Sequence, residues 1–184
     1  PSVDKNYCGD LTDKALEFCK IFNEIDYRIG ENKNWYLGVD NLEGAMAWTR
    51  SPILDSYVLM YEATKDTYYL DKLVLQIDDI ISLRDDNRLY GDYNGESLPG
   101  WSSEAYTNNG KGMRFVVHSG VITYPMVKFA KIVYSNPSLY KSYNSKADFY
   151  LQSVNEVVDA HESEWVTGPN EIAADDEGYY IFPE

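Results

Sequence analysis

The sequence predicts an all-α protein that is built from repeated helix hairpins. Apolar residues recur at helical spacing in five separate segments of the chain. Very short turns join some of these segments, whereas long loops rich in Gly, Asn and aromatic residues join the others. The chain has 184 residues, which is enough for one domain with a sizeable core. These observations together predict helices that pair as hairpins, with the long loops gathered at one end.

The first predicted helix begins near Asp10, because either Asp10 or Thr12 can cap it, and it is expected to end near Gly30. A polar loop is predicted over residues 31–47. Helical spacing predicts that this helix turns the following residues towards the core: Leu11, Ala15, Phe18, Phe22 and Ile25.

The chain has two cysteines, one just before this helix and one within it. Cys8 and Cys19 could form a bridge if the segment before the helix folds back. Alternatively, Cys19 packs on a buried helix face, because it shares helical spacing with Leu16 and Phe22. Two cysteines alone do not establish a disulfide framework, so both interpretations stand.

The second and third helices form the first predicted hairpin. Ser51 is a good N-cap and Pro52 suits the first helical position, so the second helix is predicted over about residues 52–64. It is apolar nearly all round, which is typical of an inner helix. A very short turn follows, and the third helix, over about residues 68–83, is amphipathic, which is typical of an outer helix.

A long loop, over about residues 84–117, precedes the second inner helix. Loops of this length are uncommon in compact domains and are often functional. An apolar inner helix is predicted over about residues 121–133, and a long amphipathic helix is predicted from Asn136 to about residue 162. The chain then ends in a loop rich in Gly and acidic residues, from Thr167 onwards.

The two inner helices indicate a repeat, since residues 51–54 can be laid over residues 119–122. The repeating unit is an outer helix, a long loop and an inner helix. The last outer helix has no inner partner, so we expect residues 1–184 to be a single domain that forms the N-terminal part of a larger one. Its open apolar edge is expected to pack against the remainder of that domain or against another chain.

The charge of the chain narrows the possible partners. A formal net charge of -14 repels phosphate backbones and anionic membrane surfaces, so neither nucleic acid nor a membrane is expected as a partner. No apolar run reaches the roughly 20 residues that are needed to span a bilayer. The sequence also lacks a phosphate-binding loop, a zinc signature and a GxSxG elbow.

Three segments carry a family resemblance. Residues 61–72 (YEATKDTYYLDK) look like the turn between hairpins in α/α toroid proteins. Residues 101–103 (WSS) and 117–120 (VHSG) look like segments of uncharacterised bacterial members. Over residues 10–165 the chain therefore resembles the six-hairpin α/α toroid superfamily, which includes glycosidases, polysaccharide lyases and the helical domain of glucuronyl epimerase.

This resemblance implies a fold, a site and a partner. The fold would be a partial (α/α) toroid with its long loops at one end. The site would lie at the N-terminal ends of the inner helices, where the long loops gather. The implied partner is a poly- or oligosaccharide, and the implied location is extracellular or periplasmic.

His118, Arg114 and Tyr124 are the candidate catalytic residues, because they surround the start of the second inner helix. Histidine is the side chain best placed to exchange protons near neutral pH. The alternative is that His118 only caps or packs the helix. The second histidine, His161, is interpreted as structural, because a cation near a helix C-terminus is favoured by the helix dipole.

Arg50 and Trp48 occupy the matching place before the first inner helix, and Arg50 could bind a substrate carboxylate there. It could equally pair with an acidic residue of the chain. Tyr93, Trp101 and Tyr106 are loop aromatics that could stack on sugar rings, or could simply anchor the loop. All five are predicted substrate-binding residues.

Because parallel inner helices bring their N-terminal ends together, several of these residues are expected to converge on one face. Helix N-termini there would add a positive potential that suits a carboxylate. The residues expected to converge are Arg50, Trp101, Arg114, His118 and Tyr124.

A group of loop carboxylates allows further interpretations. Asp85, Asp86, Asp92 and Glu96 could include a glycosidase acid or could bind Ca²⁺, although EF-hand spacing is absent. Such a run is most often solvated surface. No metal site and no other cofactor are predicted.

Three functions remain as hypotheses. The first is a polysaccharide lyase or epimerase, with His118 or Tyr124 as base and an arginine that neutralises a uronate carboxylate. The second is a glycoside hydrolase, which needs two suitably spaced carboxylates. The third is a non-catalytic carbohydrate-binding or scaffolding repeat protein. The first is favoured, because Arg and His dominate the entrances of the inner helices.

Overall fold

The protein is described by a computed structural model that covers residues 7–31, 37–169, 174–175 and 177–181. Over these described residues the protein is mainly helical, with 62% helix and 5% strand, which confirms the predicted all-α character. Its helices are α1 (Asp13–Glu31), α2 (Ser51–Thr64), α3 (Tyr68–Ser82), α4 (Asp85–Arg88), α5 (Val116–Tyr134) and α6 (Pro137–Asp159). None of the helices in these ranges is long and apolar enough to cross a membrane.

Two helix pairs dominate the core. Helix α2 packs on α3 across a tight turn in which Lys65 adopts a left-handed conformation. Helix α5 packs on α6. Helix α6 begins at Pro137 and is capped by Asn136, whose side chain accepts a hydrogen bond from the backbone N–H of Ser138. Helix α2 also packs on α5, so the two pairs share one core. This core centres on Leu54, Leu70, Ile77, Ile122 and Phe129.

Both inner helices start earlier than the sequence predicted. A π-helical turn over Met46–Arg50 leads directly into α2, so Ser51 has helical backbone angles and does not cap the helix. Its hydroxyl instead donates to the carbonyl of Met46 at 2.9 Å. Helix α5 begins at Val116, not near residue 121, which places His118 within its first turn. The folded long loop ends at Phe115, whose extended backbone immediately precedes α5.

The prediction that α1 buries Phe18 and Ile25 is wrong, because these side chains are 66% and 53% exposed. A disulfide joins Cys8 to Cys19 and buries both. This bridge resolves the alternatives for the cysteines and turns the face of Cys19 and Asp26 inwards. The carboxylate of Asp26 accepts from Tyr57 and pairs with Lys72, which holds α1 against α2 and α3.

Helix α3 is amphipathic, as its sequence predicted, but it is more buried than the inner helix α2. Seven of its 15 residues are buried, compared with five of 14 in α2, so α2 is not among the most buried segments. The long loop covers α3, because Trp101 is buried on it and donates its indole N–H to the carbonyl of Ile80 at 2.8 Å. Tyr150 of α6 covers the opposite side and donates to Asp78.

The long loop and the C-terminal segment contain regular structure that the sequence did not predict. The loop contains α4 and an antiparallel bridge between Ser103 and Met113. After α6, strand β1 (Trp165–Thr167) pairs antiparallel with strand β2 (Gly178–Tyr180). Three-residue strands without a clear alternation of polar and apolar residues leave little signal in a sequence.

The disulfide yields a testable expectation for stability. Reduction should lower the free energy of unfolding by about 2–4 kcal/mol, because the bridge restricts the unfolded chain and holds the start of α1. Denaturant unfolding with and without reductant measures this difference. A double variant, Cys8→Ser with Cys19→Ser, is the control and should show no response to the reductant. Equal unfolding midpoints for the oxidised and reduced protein would contradict the expectation.

Candidate functional site

Three aromatic rings surround His118 at the first turn of α5. The imidazole is 2% exposed, and its centroid lies 5.1 Å from that of Trp48, 5.3 Å from Tyr106 and 5.2 Å from Phe115. Trp48 and Tyr106 meet it edge to face and remain 49% and 54% exposed. We call these four residues the His118 cluster. It places two solvent-facing aromatic rings directly against one buried titratable group.

Asn41 holds the imidazole in place, although nothing in the sequence singled it out. Its side chain is fully buried and makes three hydrogen bonds. The amide oxygen accepts from the backbone N–H of Ala47 at 3.1 Å, and the amide nitrogen donates to the carbonyl of Trp101 at 3.0 Å. The same nitrogen lies 3.0 Å from Nδ1 of His118. Asn41 therefore links the start of α2, the long loop and α5.

This network assigns the proton of His118. The amide nitrogen of Asn41 is a donor only, and the bonds to Ala47 and Trp101 determine the orientation of the amide. Nδ1 of His118 must therefore accept a hydrogen bond, and Nε2 carries the proton of the neutral ring. Burial lowers the pKa of His118, which favours this neutral form. Within the described ranges no hydrogen bond to Nε2 is found, whereas Nδ1 is bonded to Asn41.

Gly44 allows the side chains of Trp48 and Tyr106 to lie close to its own backbone. It has a positive φ of 73°, and a Cβ atom there would lie 2.8 Å from Oη of Tyr106 and 3.2 Å from Cδ1 of Trp48. Glycine therefore meets two demands at this position, a left-handed backbone and a close approach of side chains. A sequence shows the glycine but not which of these demands it meets.

Arg50 does not belong to the His118 cluster. Its guanidinium is 1% exposed, forms an ion pair with Asp79 at 2.7 Å and donates to Oε1 of Gln76 at 2.9 Å. These contacts join the start of α2 to α3. The structure thus places Arg50 in the pairing that the sequence analysis kept as the alternative to substrate binding.

Arg114 and Tyr93 lie at a second place, a cavity of about 290 Å³ between the long loop and the C-terminal segment. Nη1 of Arg114 donates to Asp92 at 2.8 Å, and Gly100 lies so close that a Cβ there would be 2.6 Å from Cδ of Arg114. Because Arg114 and Phe115 are neighbours in extended chain, their side chains serve the cavity and the His118 cluster respectively.

The remaining candidates have other neighbours. Trp101 is 1% exposed and supports the site only through its backbone, since its carbonyl accepts from Asn41. Tyr124 is 55% exposed, and the Nζ atom of Lys128 lies 4.8 Å from its ring centroid. Its position six residues after His118 turns it to a different face of α5. Of the five residues expected to converge, only Trp101 and His118 are joined, through Asn41.

Three of the four loop carboxylates, those of Asp85, Asp86 and Asp92, bind groups of the protein itself. Asp85 is fully buried and accepts from the backbone N–H of Ser102 at 2.8 Å, and burial raises the pKa of its carboxyl. Asp86 pairs with Arg84 at 2.6 Å. Within the described ranges, no group of three or more His, Cys, Asp or Glu side chains could hold a metal ion.

Comparisons with known proteins leave this geometry as the basis for any functional argument. No protein-family model, no curated protein and no solved structure matches the chain.

The close approach at Gly44 yields a prediction with a closely matched control. Gly44→Ala should cost about 1–2 kcal/mol from the left-handed backbone and a further amount from displacement of Tyr106. Gly38→Ala is the control, since Gly38 has a φ of 74° and no atom within 4 Å of its Cβ position. Denaturant unfolding of both variants measures the two costs. Equal losses would show that the contact with Tyr106 has no effect on stability.

The lowered pKa of His118 predicts a pH dependence of stability. Below the ordinary value of 6.5 the unfolded chain binds a proton at this residue, whereas the folded chain keeps the ring neutral. This contribution is fully present above pH 6.5 and is lost as the pH falls towards the pKa of the folded state. The stability advantage of the wild type over His118→Gln should therefore narrow as the pH drops below 6.5. Urea unfolding across this range tests the sign, and a constant or growing advantage would contradict it.

Proposed function

We propose that this chain is a carbohydrate-active protein that acts on a uronate-containing polysaccharide by lyase- or epimerase-type proton abstraction. The observation that carries the proposal is the His118 cluster, in which two exposed aromatic rings flank a buried imidazole that has an N–H to donate. Sugar rings present apolar C–H faces that stack on aromatic rings, and polar neighbours then bind their oxygen atoms.

Trp48 and Tyr106 would form the stacking surface. Each keeps about half of its side chain exposed while its edge is held by His118 or Gly44. Two rings held in this way lose little conformational entropy when a ligand binds. They would therefore bind a sugar more tightly than a mobile aromatic side chain of a loop would. A sugar unit resting on them would lie directly above the imidazole of His118.

His118 would then donate from Nε2 to a carboxylate oxygen of the uronate. A neutral donor in a buried setting stabilises negative charge that develops on that carboxylate when the neighbouring carbon loses its proton. In this tautomer His118 has no lone pair on Nε2, so it serves as the donor. The other predicted base, Tyr124, lies on a different face of α5 and would not reach this sugar, so the base would be a group outside the His118 cluster.

The chemistry divides after one shared step. A base removes the proton from carbon 5 of the uronate, and the electron pair is delocalised into the carboxylate. In a lyase this pair forms a double bond between carbons 4 and 5, and the glycosidic oxygen on carbon 4 leaves and takes up a proton. In an epimerase a proton returns to carbon 5 from the opposite face.

The remaining expectations join this proposal. The α2–α3 and α5–α6 pairs would be hairpins of a partial (α/α) toroid, and the protein would act outside the cytoplasm. The exposed apolar side chains of α1, namely Phe18, Ile21 and Ile25, would meet the remainder of the toroid or another chain at the open edge.

Binding tests the surface directly. Titration with oligouronates, followed by calorimetry and tryptophan fluorescence, should give an affinity that Trp48→Ala and Tyr106→Ala each weaken by about 10-fold or more. Tyr140→Ala is the matched control, because Tyr140 is 46% exposed on α6 and lies outside the cluster. Equal affinity in all four proteins would place the sugar elsewhere, and no binding to any uronate would reject the surface.

Turnover distinguishes the reaction classes. Incubation with uronic polysaccharides should produce ultraviolet-absorbing unsaturated ends, or deuterium at carbon 5 when the solvent is D₂O. His118→Gln should lower either signal by about 10²–10³-fold while the helical circular dichroism is retained. New reducing ends without unsaturation would indicate a hydrolase. Binding without any turnover would indicate a carbohydrate-binding or scaffolding protein.

A further inference from the structure

A second hydrogen-bonded chain starts at the residue after His118. Oγ of Ser119 lies 2.8 Å from Nε2 of His161, and Nδ1 of His161 lies 2.6 Å from Oε2 of Glu164. Ser119 is 5% exposed, and the side chains of His161 and Glu164 are 2% and 12% exposed. A hydroxyl, an imidazole and a carboxylate are thus connected in order through the two nitrogens of one ring.

The carboxylate assigns the proton of His161. An ionised Glu164 can only accept, so Nδ1 of His161 carries the proton and donates it to Oε2. Nε2 therefore has a lone pair and accepts from the hydroxyl of Ser119. This is the reverse of His118, whose Nδ1 accepts from Asn41. One histidine is held as a donor and the other as a base.

Three separate elements hold this chain in place. Ser119 lies in the first turn of the 19-residue helix α5, and its N–H donates to the carbonyl of Phe115 at 3.0 Å. His161 follows the end of α6, and the N–H of Glu164 donates to the carbonyl of His161 at 3.0 Å. The carbonyl of Glu164 accepts from the N–H of Ile181, next to β2, at 2.8 Å.

Glu164 also connects the chain to the cavity of about 290 Å³, because it forms part of the cavity wall. The wall combines Tyr93 and the apolar side chains of Leu98, Met113 and Ile181 with Arg114. Arg114 is already paired with Asp92, so the acidic Glu96 and Glu164 leave the cavity negative. Ser119 and His161 do not line this cavity, so it borders the carboxylate end of the hydrogen-bonded chain, where its negative charge disfavours phosphate or sulfate esters.

We propose that Ser119, His161 and Glu164 form a nucleophile–base–acid triad that hydrolyses a short-chain carboxylic ester. A nucleophile within hydrogen-bond reach of a base that a third group orients is the arrangement that activates serine. Constellations of this kind are recognised by geometry and not by sequence position, and no GxSxG motif is required. The site is separate from the His118 cluster and does not depend on saccharide binding.

The reaction balances with water as the second reactant. Oγ of Ser119 forms a bond to the ester carbonyl carbon while its proton moves to Nε2 of His161. The bond from that carbon to the alcohol oxygen breaks, and the alcohol leaves with the proton from His161. Water then attacks the acyl-serine, gives its proton to His161, and releases the acid as the proton returns to Ser119. The N-terminus of α5 supplies a positive potential beside the reacting carbonyl oxygen.

A fluorophosphonate probe and p-nitrophenyl acetate test the proposal on the intact chain. Peptide mass spectrometry should find the probe on Ser119, and Ser119→Ala should abolish both labelling and ester hydrolysis. Glu164→Gln, which is nearly isosteric, should slow both by on the order of 10²–10⁴-fold, because the base loses its orientation and its charge partner. p-Nitrophenyl phosphate should not be hydrolysed.

Ser145→Ala is the control, since Ser145 is exposed on α6 and does not line the cavity. It should react as the wild type does. The melting temperature of every variant separates catalysis from packing. The proposal is overturned if the probe forms no adduct at Ser119 of the wild type, whether or not the variants melt at a lower temperature. It is also overturned if Glu164→Gln leaves the labelling rate unchanged. Any of these outcomes would identify Ser119, His161 and Glu164 as a buried polar network that holds the C-terminal segment on α5.

Discussion

The burial of Trp101 on α3 is the contact on which the rest of the site depends. Its indole N–H donates to the carbonyl of Ile80 near the C-terminal end of α3, a carbonyl that also accepts from the backbone N–H of Leu83 at 3.1 Å. The same residue offers its carbonyl to Asn41. One side chain thus anchors the long loop, and its backbone places the amide that orients His118. The loop ends in the extended backbone of Phe115, and α5 begins at the next residue, five residues earlier than its apolar pattern predicted.

Buried arginines reinforce this arrangement in a chain with a formal net charge of -14. Arg50 joins α2 to α3 through Asp79, and Arg84 joins the loop to α6 through Glu156 at 2.7 Å. Arg114 pairs with Asp92 inside the loop. Removing one partner from a buried pair leaves an uncompensated charge, so these pairs favour one arrangement of the loop over others. The acidity therefore has a structural part, in which carboxylates of the loop and helices neutralise the few cations that the core contains.

The first turn of α5 places two adjacent side chains, those of His118 and Ser119, in separate hydrogen-bond networks whose imidazoles have opposite tautomers. His118 faces Asn41 and keeps its proton on Nε2, whereas Ser119 faces a second imidazole that keeps its proton on Nδ1. Because successive helical residues point about 100° apart, the two groups serve separate surfaces. The His118 cluster is open and aromatic, and the Ser119 side leads towards the C-terminal segment and the cavity wall at Glu164. Proximity in sequence therefore does not mean a shared site.

The sequence by itself determined the helical class and the positions of the main helices to within a few residues. These features follow from local patterns, since helical spacing, turn residues and prolines act over a few residues.

The partners of each candidate side chain were decided only by the tertiary structure. Arg50 and Arg114 look alike in sequence, yet one closes an ion pair between helices and the other lines a cavity. The inward face of α1 was also misjudged, because the covalent bond between Cys8 and Cys19 overrides the direction of an apolar stripe. Nothing in the sequence singled out Asn41 or Glu164. Asn41 contacts His118 across 77 positions of the chain, and Glu164 contacts His161 across 3. In each pair, the proton position depends on which ring nitrogen is contacted. Residue type can suggest a titratable group, but the tautomer that sets its chemistry is a property of the folded neighbourhood.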